Sequence, residues 1–178
     1  MKFLRWLFDT VLYIAVIAIL TFLMVRYVAQ RTEVFGSSMV PTLQSGDQLI
    51  ADKLTFHFRD PKRFEIIIFP FEYEDETYFI KRVIGLPGER IRIDFDGNIF
   101  INGELLEEHY GNAVMESPGI AAFEITLGED EYFVLGDNRN VSKDSRSPEV
   151  GPISRDIILG RALVRIYPFS KIGLMTNR

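Results

Sequence analysis

Two patterns of hydrophobic and polar positions divide the chain. Near the N-terminus, sixteen consecutive residues from Thr10 to Val25 carry no charge, and the mainly apolar stretch from Trp6 to Tyr27, with an aromatic ring at each end, is 22 residues long. A helix of that length spans about 33 Å, close to the roughly 30 Å thickness of the hydrocarbon core of a bilayer. Aromatic rings are favoured at the two membrane interfaces. The pattern therefore predicts one transmembrane helix, in an anchor that occupies residues 1–31.

A cleaved secretory signal is the alternative for this stretch. Such signals have a shorter apolar run and small residues before the cut, whereas Tyr27 puts a bulky ring there. We therefore expect an uncleaved anchor. Lys2 and Arg5 precede the apolar run, and Arg26 and Arg31 follow it. Long domains translocate largely regardless of such charges, and we expect the N-terminus inside and the following domain outside.

Beyond the anchor, short β-type runs alternate with turn residues, which predicts a mainly β domain over residues 32–178. The clearest element is a hairpin in IRIDFDGNIFING, because Asp96-Gly97 and Asn102-Gly103 suit tight turns with positive φ. The composition of residues 107–122 and 137–156 predicts loops. The expected strands are 48–51, 64–69, 78–84, 90–95, 98–101, 131–135 and 158–167.

Composition narrows the chemistry of this domain. The 178 residues include no cysteine and two histidines, which excludes disulfides, a thiol nucleophile, and iron–sulfur or zinc–cysteine sites. The net charge is -5 overall, and residues 32–178 alone carry -8. An acidic domain is a poor partner for nucleic acid, because neutralising phosphates needs a basic face. We expect neither a metal nor a nucleic-acid partner.

Two residues could form a nucleophile and its base. Ser38 follows the anchor closely, in the segment Gly36–Leu43, although a Gly-Ser pair before proline is often only a turn. A serine nucleophile needs a base, and His57 and His109 lie in segments typical of surface or interfacial residues. Lys81 lies among apolar strand residues, where burial would lower its pKa. Alternation alone leaves open whether Lys81 faces solvent or an apolar site.

A third polar segment, residues 136–146, directly follows an expected strand. Such loops often only cap a sheet. Its acidic, basic and hydroxyl side chains could also support a lysine amine, with Asp144 paired to Arg146 and Ser142 hydrogen-bonded near the amine.

In this order, residues 36–43, Gly46-Asp47, residues 81–89 and residues 136–146 resemble the motifs of the bacterial type I signal peptidases. These membrane-bound serine proteases remove signal peptides from exported preproteins, and the resemblance covers essentially the whole chain. It implies an antiparallel β catalytic domain after one transmembrane helix and needs no cofactor. It also implies that the partners are the signal peptides of preproteins, which are cut after a small-x-small site. The reaction would take place at the outer face of the cytoplasmic membrane.

The resemblance also implies a role for each matched residue. Ser38 matches the nucleophile and Lys81 the general base. Ser142 matches the serine that orients the lysine amine, and Asp144 with Arg146 match an ion pair beneath the site. Positions that line the pockets for small substrate side chains match Val34, Met39, Leu43, Leu49, Phe79 and Ile80.

Two positions depart from the family pattern. Gly36 stands where some members have a serine whose hydroxyl helps to bind the oxyanion, so another donor must complete the oxyanion hole with the Ser38 amide. Val141 replaces an asparagine that is common before the closing serine. Lys81 argues against the ER-type branch, which uses histidine as its base.

An apolar surface near the active site would let such a domain contact the outer leaflet. Candidates for it are Phe56, Phe58, Phe69, Phe71 and Tyr73, with core packing as the alternative for each. Two other hypotheses remain for the whole chain. One is a self-cleaving repressor-type Ser-Lys protease, and the other is a tethered β module that only binds a partner. The sequence leaves the oligomeric state open.

Overall fold

A long apolar helix begins the chain in the computed structural model, which describes residues 2–23, 28–71 and 77–175. Helix α1 spans Lys2–Leu23. Its segment Lys2–Phe22 has a mean hydropathy of 2.0 and no residue buried against the rest of the protein, so it is long and apolar enough to cross a membrane. Tyr27 and Tyr73 lie outside the described residues.

The larger sheet has eight antiparallel strands and carries most of the domain. From one edge to the other, its order is β1-β2-β11-β3-β4-β9-β10, and β12 pairs with β11. The strands are β1 (Ala29–Glu33), β2 (Gln48–Asp52), β3 (Ile66–Pro70), β4 (Tyr78–Gly85), β9 (Glu131–Leu135), β10 (Ile153–Ser154), β11 (Gly160–Tyr167) and β12 (Gly173–Leu174).

A smaller antiparallel sheet is inserted between β4 and β9, in the order β7-β6-β5-β8. Its hairpin of β5 and β6 confirms the prediction made from the turn residues. Gly97 has a φ of 84°, and Asn102 and Gly103 have φ values of 54° and 86°. The strands are β5 (Arg90–Ile93), β6 (Ile99–Ile101), β7 (Glu104–Leu105) and β8 (Ile125–Thr126).

The seven expected strands all exist, with ends shifted by a few residues. Strand β1 was not expected, because its sequence AQRTE has no apolar alternation, and it begins ahead of residue 32. The expected loop 107–122 contains a 3-10 turn at Gly119–Ala122. The expected loop 137–156 contains β10, which was too short to leave a sequence pattern.

Three of the proposed membrane-contacting aromatics are in the core instead. Phe56, Phe69 and Phe71 are only 6%, 1% and 6% exposed, so the core-packing alternative holds for them and they form no apolar surface. Phe56 and Phe69 pack in one cluster with strand residues of the large sheet, where burial of an aromatic ring is most favourable. Phe58, in contrast, is 81% exposed.

Candidate active site

The loop between β1 and β2 presents Ser38, and we call residues 34–47 the nucleophile loop. Backbone hydrogen bonds close its base: Val34 N donates to Asp47 O at 2.9 Å, and Gly46 N donates to Val34 O at 2.8 Å. Gly36 has a φ of 81°, which a residue with a side chain rarely adopts. The loop therefore turns sharply just before Ser38 and holds it at the surface of the sheet.

Strand β4 supplies Lys81, which is only 3% exposed. Its Nζ atom lies 3.0 Å from Ser38 Oγ and 3.2 Å from the carbonyl oxygen of Ile80, and it donates a hydrogen bond to each. Lys81 thus faces the apolar site rather than solvent, which resolves the choice that strand alternation left open.

Burial changes the protonation of this amine. Desolvation lowers the pKa of Lys81 from 10.5 to about 8, while the negative charges of Asp144 and Asp137 act in the opposite direction. A pKa of 8 leaves about a tenth of the molecules with a neutral amine at pH 7. A neutral amine at hydrogen-bond distance from a hydroxyl can accept its proton.

The polar loop after β9, which we call the closing loop (residues 136–147), fixes Ser38 from the other side. Asn138 donates from its backbone amide to Ser38 O at 2.9 Å and from Nδ2 to Ser37 O at 3.1 Å. Asp144 pairs with Arg146 at 2.8 Å and accepts a hydrogen bond from Gly136 N at 3.1 Å. The ion pair therefore orders the same loop whose Asn138 holds the Ser38 backbone.

Ser142 lies close to Gly136, which is also close to Ser38 O. Its Oγ is buried and has no hydrogen-bond partner among the described residues, so it makes no hydrogen bond to the Lys81 amine. A side chain at Gly136 would overlap both Ser142 Oγ and Ser38 O. Only glycine therefore allows the two loops to approach this closely.

A second buried ion pair was not anticipated from the sequence. Arg82 binds Asp137 through two parallel hydrogen bonds of 2.8 and 2.6 Å, and the side chains are 2% and 0% exposed. Thr42 Oγ1 also donates to Asp137. The pair therefore joins β4, the closing loop and the nucleophile loop. One feature of the sequence pointed to these two residues: each lies within a segment that resembles a family motif.

An open groove of about 620 Å³ runs past the dyad. Of the residues matched to substrate pockets, four line the groove and two do not. Leu43 and Leu49 are both 0% exposed and pack behind it, in one cluster with five of the residues that line the groove. The matched residues that line it are Val34, Met39, Phe79 and Ile80, together with Gly36, Ser38 and Lys81.

Neither histidine takes part in this site. His57 and His109 are both exposed, and neither lines the groove. Among the residues that the structure describes, no group of three or more acidic or histidine side chains could hold a metal ion. The nearest potential base for Ser38 is therefore Lys81.

Comparison with known proteins identifies the family of the chain. A family model described as signal peptidase, peptidase S26, matches residues 7–167. The chain belongs to the signal peptidase family. It is 40% identical over 158 residues to a probable signal peptidase I-2 from Synechocystis sp., covering 85% of this chain and 69% of that protein. It is 40% identical over 154 residues to signal peptidase I of Leptolyngbya laminosa, covering 83% and 73%.

A solved relative is the signal peptidase I of Enterococcus faecalis. It is 34% identical, and the match covers 58% of this chain and 97% of that one with a TM-score of 0.49. Members of the signal peptidase family are serine endopeptidases that act on the signal peptides of preproteins. The repressor-type and binding-module hypotheses are therefore wrong, and the N-terminal helix is compatible with a membrane-anchored enzyme.

The buried Arg82–Asp137 pair predicts a large loss of stability when one partner is neutralised. Asp137→Asn leaves the Arg82 charge buried without its counter-ion, so the free energy of unfolding should fall by about 3 to 5 kcal/mol. Urea unfolding of the full chain in detergent micelles, followed by circular dichroism, measures the change.

Asp60→Asn is the matched control, because it removes the same charge from a pair with Arg155 in which Asp60 is 79% exposed. Its free energy of unfolding should change by no more than about 1 kcal/mol. Equal losses in the two variants would contradict the importance of the buried pair.

Proposed function

We propose that this signal peptidase works through a Ser38–Lys81 dyad. The observation that carries the proposal is the 3.0 Å contact between Lys81 Nζ and Ser38 Oγ at the groove, with the amine buried and its pKa lowered to about 8. Lys81 is the general base and Ser38 the nucleophile. The match of both residues to the family's motifs supports the same assignment.

Acylation begins when neutral Lys81 takes the Ser38 proton and Oγ bonds to the scissile carbonyl carbon. The resulting oxyanion needs donors, and the Ser38 amide has no acceptor among the described residues. When the carbon–nitrogen bond breaks, Lys81 returns the proton to the leaving amine. The signal peptide is now an ester of Ser38.

Deacylation repeats the sequence with water. Lys81 takes a proton from water, the hydroxide bonds to the ester carbon, and the bond to Oγ breaks. The proton then returns to Ser38. One buried amine therefore serves both half-reactions, as a base and then as an acid.

The groove favours cleavage after a small-x-small site. Val34, Met39 and Ile80 line it with apolar side chains, and the fully buried Leu43 and Leu49 fill the space behind them. A pocket closed by packed side chains has no room for a large residue without a cost in packing. Small side chains before the cut fit this boundary.

The location of the substrate favours one orientation of the chain in the membrane. We assign helix α1 as the single transmembrane span, with the N-terminus in the cytoplasm and residues 32–178 outside. Residues 28–33 follow the helix and lead directly into the nucleophile loop. A signal peptide that leaves the bilayer would thus meet the groove close to the membrane surface.

The dyad predicts that both side chains are essential. Ser38→Ala and Lys81→Met should each reduce kcat by at least about a thousandfold, because they remove the nucleophile and its base. The assay is cleavage of a preprotein with an Ala-x-Ala site in detergent, with the cut position read by mass spectrometry.

Stability separates loss of chemistry from loss of fold in this test. Lys81→Met removes a buried cation and should raise the free energy of unfolding at pH 7 by roughly 3 kcal/mol. A stable Lys81→Met variant that still cleaves the substrate would overturn the assignment of the base.

The lowered pKa also predicts the pH dependence of the enzyme. Because Lys81 must be neutral, kcat/KM should rise about tenfold per pH unit below pH 8 and level off above it. Single-substrate kinetics between pH 5.5 and 10 measure this profile. A flat profile from pH 6 to 9 would contradict a lysine base with this pKa.

Cysteine labelling tests the orientation, since the natural chain contains no cysteine. Phe95→Cys places a thiol in the turn between β5 and β6, at a side chain that is 82% exposed. A membrane-impermeant maleimide should label this variant in intact cells from the outside, while Lys2→Cys should need permeabilised cells. The opposite labelling pattern would invert the topology.

A further inference from the structure

An aromatic ring lies against the amine that the proposed mechanism uses. Lys81 Nζ is 4.5 Å from the centroid of the Phe79 ring. Residues 79 and 81 are two apart on β4 and therefore point to the same face of the sheet. A cation within about 6 Å of a ring centroid is attracted by the negative charge of the ring face.

Phe79 is itself fixed by a second ring. Phe71 stacks on it with the centroids 4.4 Å apart and the planes within 7° of parallel. Phe69 contacts it edge-on at 6.0 Å. Because both partners are buried, Phe79 has little freedom to turn away from the amine. The stack continues to Lys143, whose Nζ lies 4.8 Å from the Phe71 centroid.

Few other groups around Lys81 carry charge. Strand β3 places Ile67 opposite it, and the nucleophile loop brings only the Ser38 hydroxyl. The closing loop contributes Asp144 and Asp137, each of which is already paired with an arginine. The Phe79 ring is thus, with the Ser38 hydroxyl and the Ile80 carbonyl oxygen, one of the groups in direct contact with the amine.

We propose that Phe79 is a positioning residue for the general base, whose ring stabilises the ammonium form of Lys81 and holds the amine beside Ser38. This inference rests on the proposed Ser38–Lys81 dyad. It gives Phe79 a second role, since the same ring lines the groove. Burial favours the neutral amine, whereas the ring favours the ammonium form. The ring therefore offsets part of the effect of burial and keeps the amine basic enough to take a serine proton.

The test changes the charge distribution of the ring and almost nothing else. Phe79 is replaced in the full chain by 4-fluoro-, 3,5-difluoro- and 3,4,5-trifluorophenylalanine, because each added fluorine withdraws electrons from the ring face. The acid limb of the kcat/KM profile reports the pKa of the base in the free enzyme. A contribution to substrate binding that is the same at every pH does not move that limb.

We expect the limb to move to lower pH in proportion to the number of fluorines, by about 0.5 to 1 unit for the trifluoro variant. At pH 6, kcat/KM relative to its own plateau should therefore rise about threefold to tenfold. A merely structural role for Phe79 predicts no such gain. A limb that stays in place, or moves to higher pH, would overturn the inference.

Phe56 provides the matched control. Its ring contacts Arg59 and Arg155 at 5.7 and 5.4 Å and does not line the groove. The same fluorinated residues at position 56 should leave the acid limb unchanged. A shift there equal to the shift at position 79 would also overturn the inference.

Two measurements separate this inference from the dyad itself. Activity in Lys81→Met would refute the dyad, whereas an inactive Lys81→Met with no fluorine effect would refute only the role of Phe79. An NMR titration of the 13C-labelled Lys81 side chain gives the same pKa without any need for activity. It should show the same graded decrease.

Discussion

Burial of the Lys81 amine is the constraint on which the rest of the site depends. A lysine in water is almost fully protonated at neutral pH and cannot serve as a base. Strand β4 removes the amine from solvent, which lowers its pKa to about 8. The nucleophile loop then has to bring Ser38 Oγ to within 3.0 Å of this amine, which can lose its proton near neutral pH.

The loops that meet this requirement are tied together by charged side chains rather than by apolar packing alone. Asp137 binds Arg82 on β4 and Thr42 in the nucleophile loop, while Asp144 binds Arg146 within the closing loop. These ion pairs matter mainly because removing one partner would be costly: the other partner would remain buried as an uncompensated charge. Pairing therefore gives the loops one arrangement in which every charge is satisfied.

The sequence predicts the local elements well and the long-range contacts poorly. Seven strands and the hairpin at Gly97 follow from residues close together in the chain. Strand β1 escapes such reasoning, because its polar residues form a strand only by pairing with β2. Arg82 and Asp137 are 55 residues apart, so their contact depends on the register of β4 against β9.

The resemblance to family motifs pairs two distant residues that local sequence patterns cannot connect. Ser38 and Lys81 are 43 residues apart, and nothing in either segment alone requires them to meet. The resemblance pairs them, and the structure brings Lys81 Nζ and Ser38 Oγ to 3.0 Å, but a resemblance carries roles rather than coordinates. It did not reveal that Leu43 and Leu49 lie behind the groove or that Ser142 Oγ has no partner within the described chain. Those features depend on how the two loops pack.

The charges near Lys81 show why the acidic character of the domain does not prevent the pKa of this buried lysine from falling. Asp144 and Asp137 each raise the pKa of the amine, and unpaired they would oppose desolvation more strongly. Arg146 and Arg82 lie at hydrogen-bond distance from these carboxylates and cancel much of their field. The same ion pairs that order the loops thus keep the surroundings of the amine close to neutral. In such surroundings burial has the largest effect on the pKa of the amine, and a lysine can take the place of a histidine as a base.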